Sequence, residues 1–212
     1  MENRKDKRVI PGLCIAFLCC LIVNGFLFFS EWIEEKHDAA ASAYSVEYTI
    51  RENRGILQGL LQERWISLTF AEKQAVLQQA ANTEANYLGI SKPLRVTIVD
   101  LDDRVHGRYI KKDHAVQINR DHVENSPAEE VLTTICHEAY HAYQTAVVET
   151  FAHAEKEKQA LLLFRRAEIY QEELQQYQDG SSGYEGYYAQ ELEKDARAYS
   201  RSAVKDWYAK LE

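Results

Sequence analysis

The chain has 212 residues, 46% hydrophobic and 27% charged, which is enough apolar side chain for one folded domain plus a small addition. Its formal net charge of −8 lacks the basic surplus of a nucleic-acid-binding surface, so nucleic acid is not an expected partner. There is no internal repeat, and no low-complexity tract beyond short charged stretches.

Residues 1–8 form a basic tail carrying Arg4, Lys5, Lys7 and Arg8. Val9 to Phe29 follow without a charge, 21 residues against the ~20 that cross a bilayer as a helix. Basic residues before the run, and Glu31, Glu34 and Glu35 after it, predict a single crossing over 9–29 with the N-terminus in the cytoplasm. Residues 1–29 hold four basic and two acidic side chains, so the part expected outside carries −10. The competing reading is secretion after signal cleavage at Ala41-Ser42-Ala43, which lies fourteen residues beyond an apolar run long for a signal peptide. A lipoprotein signal would need small residues before Cys19 or Cys20, where Phe17 and Leu18 stand. Three of the four cysteines, Cys14, Cys19 and Cys20, fall inside the apolar run. Cys136 is then alone in the remainder, which excludes a disulfide framework there and reads as a small buried apolar residue.

Residues 30–68 are predicted as a helical stalk, weakened by Gly55 and Gly59, and 69–212 as the main folded domain. Thr69 and Glu72 make a capping box for a helix whose stripe is Phe70, Val76, Leu77, Ala80, Ala81 and Leu88, with Gly89 as its stop. LRVTIVD alternates with period two, and GRYI and AVQIN flank the polar KKDH, so a sheet of about three strands with a hairpin is expected. Ser126-Pro127-Ala128-Glu129 predicts a helix start, with Ser126 as N-cap, Pro127 at N1 and Glu129 completing a second capping box. That helix runs through VLTTICHEAYHAYQTAVVET. EKEKQALLLFRRAEIYQEELQQYQ reads as another long helix up to DGSSG, and helical periodicity resumes at Tyr184 and continues to the end. Grouped strands among helices define an α+β fold.

HEAYH places His137 and His141 four residues apart on a predicted helix, so both imidazoles share a face and can reach one metal ion. Val131, Leu132 and Ile135 supply the apolar side of the same helix. Glu138 lies beside the histidine face, where a carboxylate can accept a proton from an attacking water. Imidazole and carboxylate donors suit Zn²⁺, and a catalytic zinc site needs a third protein ligand. The pattern HExxHxxGxxH is excluded, because Gln144 and Val147 stand where it requires glycine and histidine. Glu149 and His153 lie too far along the same helix. ELEKDAR offers Glu191 and Glu193. Glu193 shares its face with Ala196, Arg197 and Ser200, of which the small Ala196 and Ser200 would allow a close helix approach, whereas Glu191 shares its face with Lys194 and Asp195, the latter a candidate to orient a histidine. Helical phase leaves both open.

HEAYHAYQ followed by YYAQELEKDARAYS resembles the small gluzincin-type, minigluzincin-like metallopeptidases of bacteria and their phages, over roughly residues 70–200. The resemblance implies a mainly helical zincin-like domain, a zinc cofactor and a peptide or protein substrate. It places the third ligand in a Glu-x-x-Ala pattern, which falls on Glu193 to Ala196; a thermolysin-like Glu-x-x-x-Asp pattern would choose Glu191 with Asp195. It also implies that an edge strand near the metal, here within RYIKKDHAVQINR, takes up extended substrate. The expected reaction is amide hydrolysis with Glu138 as general base. Tyr187 is the first candidate for stabilising the transition state, with Tyr188, Tyr143 and His122 as alternatives. The competing functional reading is a non-catalytic surface protein that binds zinc for structure or presents helices to a partner.

Overall fold

The structure, a computed structural model, describes residues 45–179 and 183–211. The basic tail, the crossing expected over 9–29, the signal-cleavage alternative and the first part of the stalk lie outside the described residues. Among the described residues, no helix is long and apolar enough to cross a membrane.

The first long element is α1, Phe70–Tyr87. Its capping box forms as expected, with the Thr69 hydroxyl accepting from Glu72 N and the Glu72 carboxylate accepting from Thr69 N at 2.7 Å. At the other end Gly89 takes φ 71, which lets Ile90 N reach back to Ala85 O at 2.8 Å. This left-handed cap satisfies carbonyls the helix leaves free. Val76, Leu77, Ala80 and Ala81 are buried, while Phe70 is partly exposed beneath the Arg120 guanidinium.

Three strands follow: β1 Arg95–Val99, β2 Gly107–Ile110 and β3 Ala115–Asn119. Their order is β1-β3-β2, with β3 parallel to β1 and antiparallel to β2 in the expected hairpin. His114 at φ 47 ends the single turn Lys111–Asp113 between β2 and β3. The outer edge of β1 is covered, since Gln78 Nε2 donates to Leu94 O, Gln74 Nε2 to Val96 O, and Val96 N to Gln78 Oε1. No described strand pairs with the outer edge of β2.

After α2, Arg120–Asn125, comes α3, Ala128–His153, which carries the HExxH motif through the middle of the domain. Its start differs from the sequence reading. Pro127 occupies the N-cap position, and Gln62 Oε1, from a distant segment, accepts from Ala128 N at 3.0 Å. Ser126 is turned away to His122 Nδ1, so no capping box forms with Glu129. The helix packed most extensively against α3 is α6, Glu191–Leu211, preceded by α4, Ala167–Gln175, and α5, Tyr184–Ala189. Ala139 and Ala142 on α3, and Ala196 and Ser200 on α6, are buried, and their small side chains allow the two backbones to approach closely.

Two expected long helices are broken. Residues 45–68 form the separate turns Val46–Tyr48, Arg54–Leu57, Gln58–Leu60 and Gln62–Trp65, not a continuous stalk. Leu57, Leu60 and Trp65 from this stretch are fully buried in the core of α1, the sheet, α3 and α6. Each such burial stabilises by about 1.5–3 kcal/mol, which outweighs keeping the segment straight. Arg54 also donates to the carbonyls of Lys210 and Leu211 at the end of α6. Likewise the stretch from Glu155 to Gln178 breaks at Lys156–Gln159 and Leu162–Phe164 before α4 begins. Phe164 and Ala167 are buried against Val147, which turns the chain and leaves Leu162 81% exposed.

Candidate metal centre

On α3, the four-residue spacing sets His137 and His141 one turn apart with ring centroids 4.7 Å apart. Their Nε2 atoms face each other at 3.1 Å. The geometry of His141 is set by Gln144, one further turn along, whose Oε1 is 2.8 Å from His141 Nδ1. Gln144 uses its amide nitrogen on Leu192 O at 2.9 Å, so its oxygen can only accept and Nδ1 must donate. In the neutral ring this leaves the Nε2 lone pair pointing at the site.

α6 brings Glu193 to the same point. Its Oε2 lies 3.3 Å from His137 Nε2, and its Oε1 lies 3.3 Å from His141 Nε2. The Glu193 side chain has no solvent exposure, and the histidines keep 15% and 16%. These three residues form the one described cluster of donors able to hold a metal ion. Oε2 is also 3.7 Å from Arg197 Nη1, yet it has no well-directed hydrogen bond to either neighbour. A buried carboxylate oxygen facing an imidazole nitrogen without such a bond fits a site whose intended partner is a cation. The separations of 3.1, 3.3 and 3.3 Å are close to the about 3.4 Å between donors on a tetrahedral zinc with bonds near 2.0–2.2 Å. The donor set therefore fits zinc in number, type and spacing.

Charge in the metal-free site follows from the same contacts. Burial alone would raise the Glu193 pKa, but the two imidazoles outweigh it and hold the carboxyl well below its usual range. Burial would lower His141, but hydrogen bonding to Glu193, with the charges of Glu138 and Glu193, lifts it to about 9. The site without metal is thus an imidazolium–carboxylate pair, and a metal must displace its proton.

Glu191, the other ligand considered, is elsewhere. Its carboxylate receives Arg166 Nη2 at 2.8 Å and Lys194 Nζ at 2.9 Å. Asp195 does not orient a histidine; its Oδ2 accepts from Tyr170 at 2.6 Å and from Arg166 Nε at 2.8 Å. Arg166, invisible to the sequence reading as a site residue, thus draws both acidic side chains away from the imidazoles. Glu138 is 6% exposed, and its charge acts on His141, Tyr177 and Tyr187, so its carboxylate stands at the same centre.

Of the tyrosines proposed from sequence, Tyr187 does neighbour Glu193. The helix breaks at Gln190, and α5 delivers the ring. Burial raises the Tyr187 hydroxyl pKa, and the Glu193 charge and a hydrogen bond to that carboxylate raise it further. Sequence reasoning missed Tyr177, which donates to Glu193 Oε1 at 2.7 Å. Its signal was only a tyrosine among thirteen, on a segment read as plain helix. Tyr188 lies under the Arg197 guanidinium, 3.7 Å from its ring centre, and Tyr143 packs on Tyr140. His122 has both ring nitrogens engaged, by Ser126 and Thr134, and burial with the adjacent His106 lowers its pKa to about 4. Cys136 is buried and faces Glu84, as a packing residue.

β2 runs beside the motif. A Cβ on Gly107 would stand 2.6 Å from Thr134 Cγ2, so only glycine allows this approach to α3. The far end is tied by Lys111 Nζ to Glu149 at 3.0 Å. Cavities of about 420 and 650 Å³ lie on either side of Leu163, and neither is lined by His137, Glu138, His141 or Glu193. No family model matches the chain, and no curated protein or solved structure matches it either.

Proposed function

We propose that this chain is a zinc-dependent metallopeptidase, with His137, His141 and Glu193 holding the metal and Glu138 serving as general base. The convergence of the two Nε2 atoms with a solvent-free carboxylate at 3.3 Å carries the reading. Glu138 separates this site from a purely structural one, which has no use for a buried acid beside the ligands. When bound, zinc supplies a Lewis acid that polarises the scissile carbonyl and makes water more acidic. A Glu138 carboxylate oxygen takes the proton of the attacking water and returns it to the leaving amine. Tyr187, with its hydroxyl at Glu193, is the assigned donor to the developing oxyanion. Extended peptide or protein substrate adds to the outer edge of β2, which no described strand covers and which runs along the motif helix. With a crossing over 9–29, the reaction takes place outside the cytoplasm.

The test is metal content and cleavage by the full chain. The wild type is expected to hold about one zinc per chain and to cleave a broad peptide library. Glu138→Gln should keep the metal and lose about 10²–10⁴ of the rate. A wild type that takes up no zinc, or cleavage indifferent to Glu138→Gln, sinks the proposal.

A further inference from the structure

Glu193 is the third residue of α6, in the turn most exposed to fraying of a helix end. That turn also carries Glu191 and Asp195, so three carboxylates crowd the start of one helix. Something must hold the turn closed and keep Glu193 aimed at the imidazoles.

One stripe of side chains meets this turn. Arg166, Tyr170 and Glu173 are spaced four and three apart, which puts them along one side of α4 from its N-cap onward, and Tyr177 follows just beyond the C-cap Gln176. Arg166 binds Asp195 Oδ2 and Glu191 Oε2, each at 2.8 Å, and Tyr170 donates to Asp195 at 2.6 Å. Glu173 accepts from the first two amides of α6, Glu191 N at 2.9 Å and Leu192 N at 2.8 Å. A carboxylate there satisfies donors that the helix cannot and matches the positive end of its dipole. Tyr177 then donates to Glu193 Oε1, the oxygen that faces His141. The chain just beyond Tyr177 is clamped as well, because Gln178 N donates to Gln190 Oε1 and Gln190 Nε2 donates to Gln178 O.

We propose that this stripe is a positioning element for the third metal ligand, in which the Tyr177 hydroxyl fixes the Glu193 carboxylate in its ligating orientation. The inference rests on the metallopeptidase reading, and it assigns Tyr177 a place behind the ligand, not on the substrate. The elements divide the work by distance from the metal. Arg166 and Tyr170 remove competing carboxylates, Glu173 stops the helix from fraying, and Tyr177 sets the rotamer of the ligand itself. Outer partners of this kind change metal affinity by about 10–100-fold in known sites.

The experiment uses the full chain and two probes, zinc titrated against a chelator and cobalt read by its visible absorption. Tyr177→Phe keeps the ring and removes one hydroxyl. It is expected to weaken zinc binding about tenfold and to shift the cobalt spectrum at saturating metal. Tyr184→Phe, at a residue 67% exposed, should change neither. Glu173→Gln, which withdraws the charge from the two amides and leaves Tyr177 in place, should weaken zinc binding by a smaller factor, about threefold. Circular dichroism and a thermal melt fix a working temperature at which every variant is folded. Zinc affinity within twofold and a superposable cobalt spectrum for Tyr177→Phe would overturn the proposal and leave the metallopeptidase reading intact. A wild type that binds neither metal overturns both.

Discussion

Two of the glutamates buried in this domain, Glu84 and Glu193, are opposites. Glu84 on α1 is 1% exposed and Glu193 on α6 is 0% exposed. Glu84 is met by neutral donors: the Tyr199 hydroxyl, and Trp207 Nε1 at 2.6 Å. Burial dominates there and raises its pKa, although the hydrogen bonds from Tyr199, Trp207 and Cys136 pull the other way. Glu193 suffers the same loss of water, but two imidazoles face it and hold its pKa down. Equal burial therefore goes with a pKa pushed up at one place and held down at the other. The first is a strut between α1 and α6; the second offers lone pairs to a cation.

The comparison breaks most sharply at Glu193. Glu193→Gln keeps the side chain's shape but removes the charged donor, and zinc affinity should fall by more than the about 100-fold seen for outer partners. Retention of affinity within tenfold, measured by chelator competition, would mean that the carboxylate is not a ligand. At the other pole, Glu84→Ala leaves Trp207 Nε1 buried without its partner. Unfolding in urea should show a loss of about 2–4 kcal/mol, with zinc affinity of the folded protein unchanged.

The two acids should also differ with pH. Glu84 stays protonated in the fold where the unfolded chain has ionised, so its contribution is complete below about pH 4.3 and declines as pH rises. Stability curves of Glu84→Gln should be flatter across that range. At the candidate metal centre the proton on His141, held to about 9, must leave before a metal can enter. Zinc affinity should climb about tenfold per pH unit below that value and level off above it, with release of one proton. Affinity flat from pH 6 to 8 would contradict the imidazolium–carboxylate pair. The smallest effect belongs to Glu191→Gln, which should leave zinc affinity within about twofold because Arg166 and Lys194 hold that side chain apart from the imidazoles.

Much of this was readable without coordinates where the signal was local. The Thr69–Glu72 box, the Gly89 stop, the three strands and the HExxH spacing depend on neighbours within a few residues, and they appear where expected. Legibility failed where distant residues intervened. Gln62, far away in the chain, caps α3 in place of Ser126. Burial of Leu57, Leu60 and Trp65 folds the described part of the expected stalk into the core, and burial of Phe164 goes with the breaking of an expected helix into short pieces. Asp195, plausible from phase as a histidine's partner, is taken by Arg166 and Tyr170.

By itself, the sequence determined that two imidazoles share one helix face with a glutamate beside it and that two later carboxylates compete for a third place, because periodicity follows from helix geometry alone. Only the tertiary structure decided between those carboxylates. Glu191 and Glu193 are two residues apart and differ by about 200° around α6, so the packing of α6 against α3 admits one to the imidazoles and turns the other toward Arg166. The same packing recruited Tyr177, whose distance of sixteen residues from Glu193 carries no periodic signal.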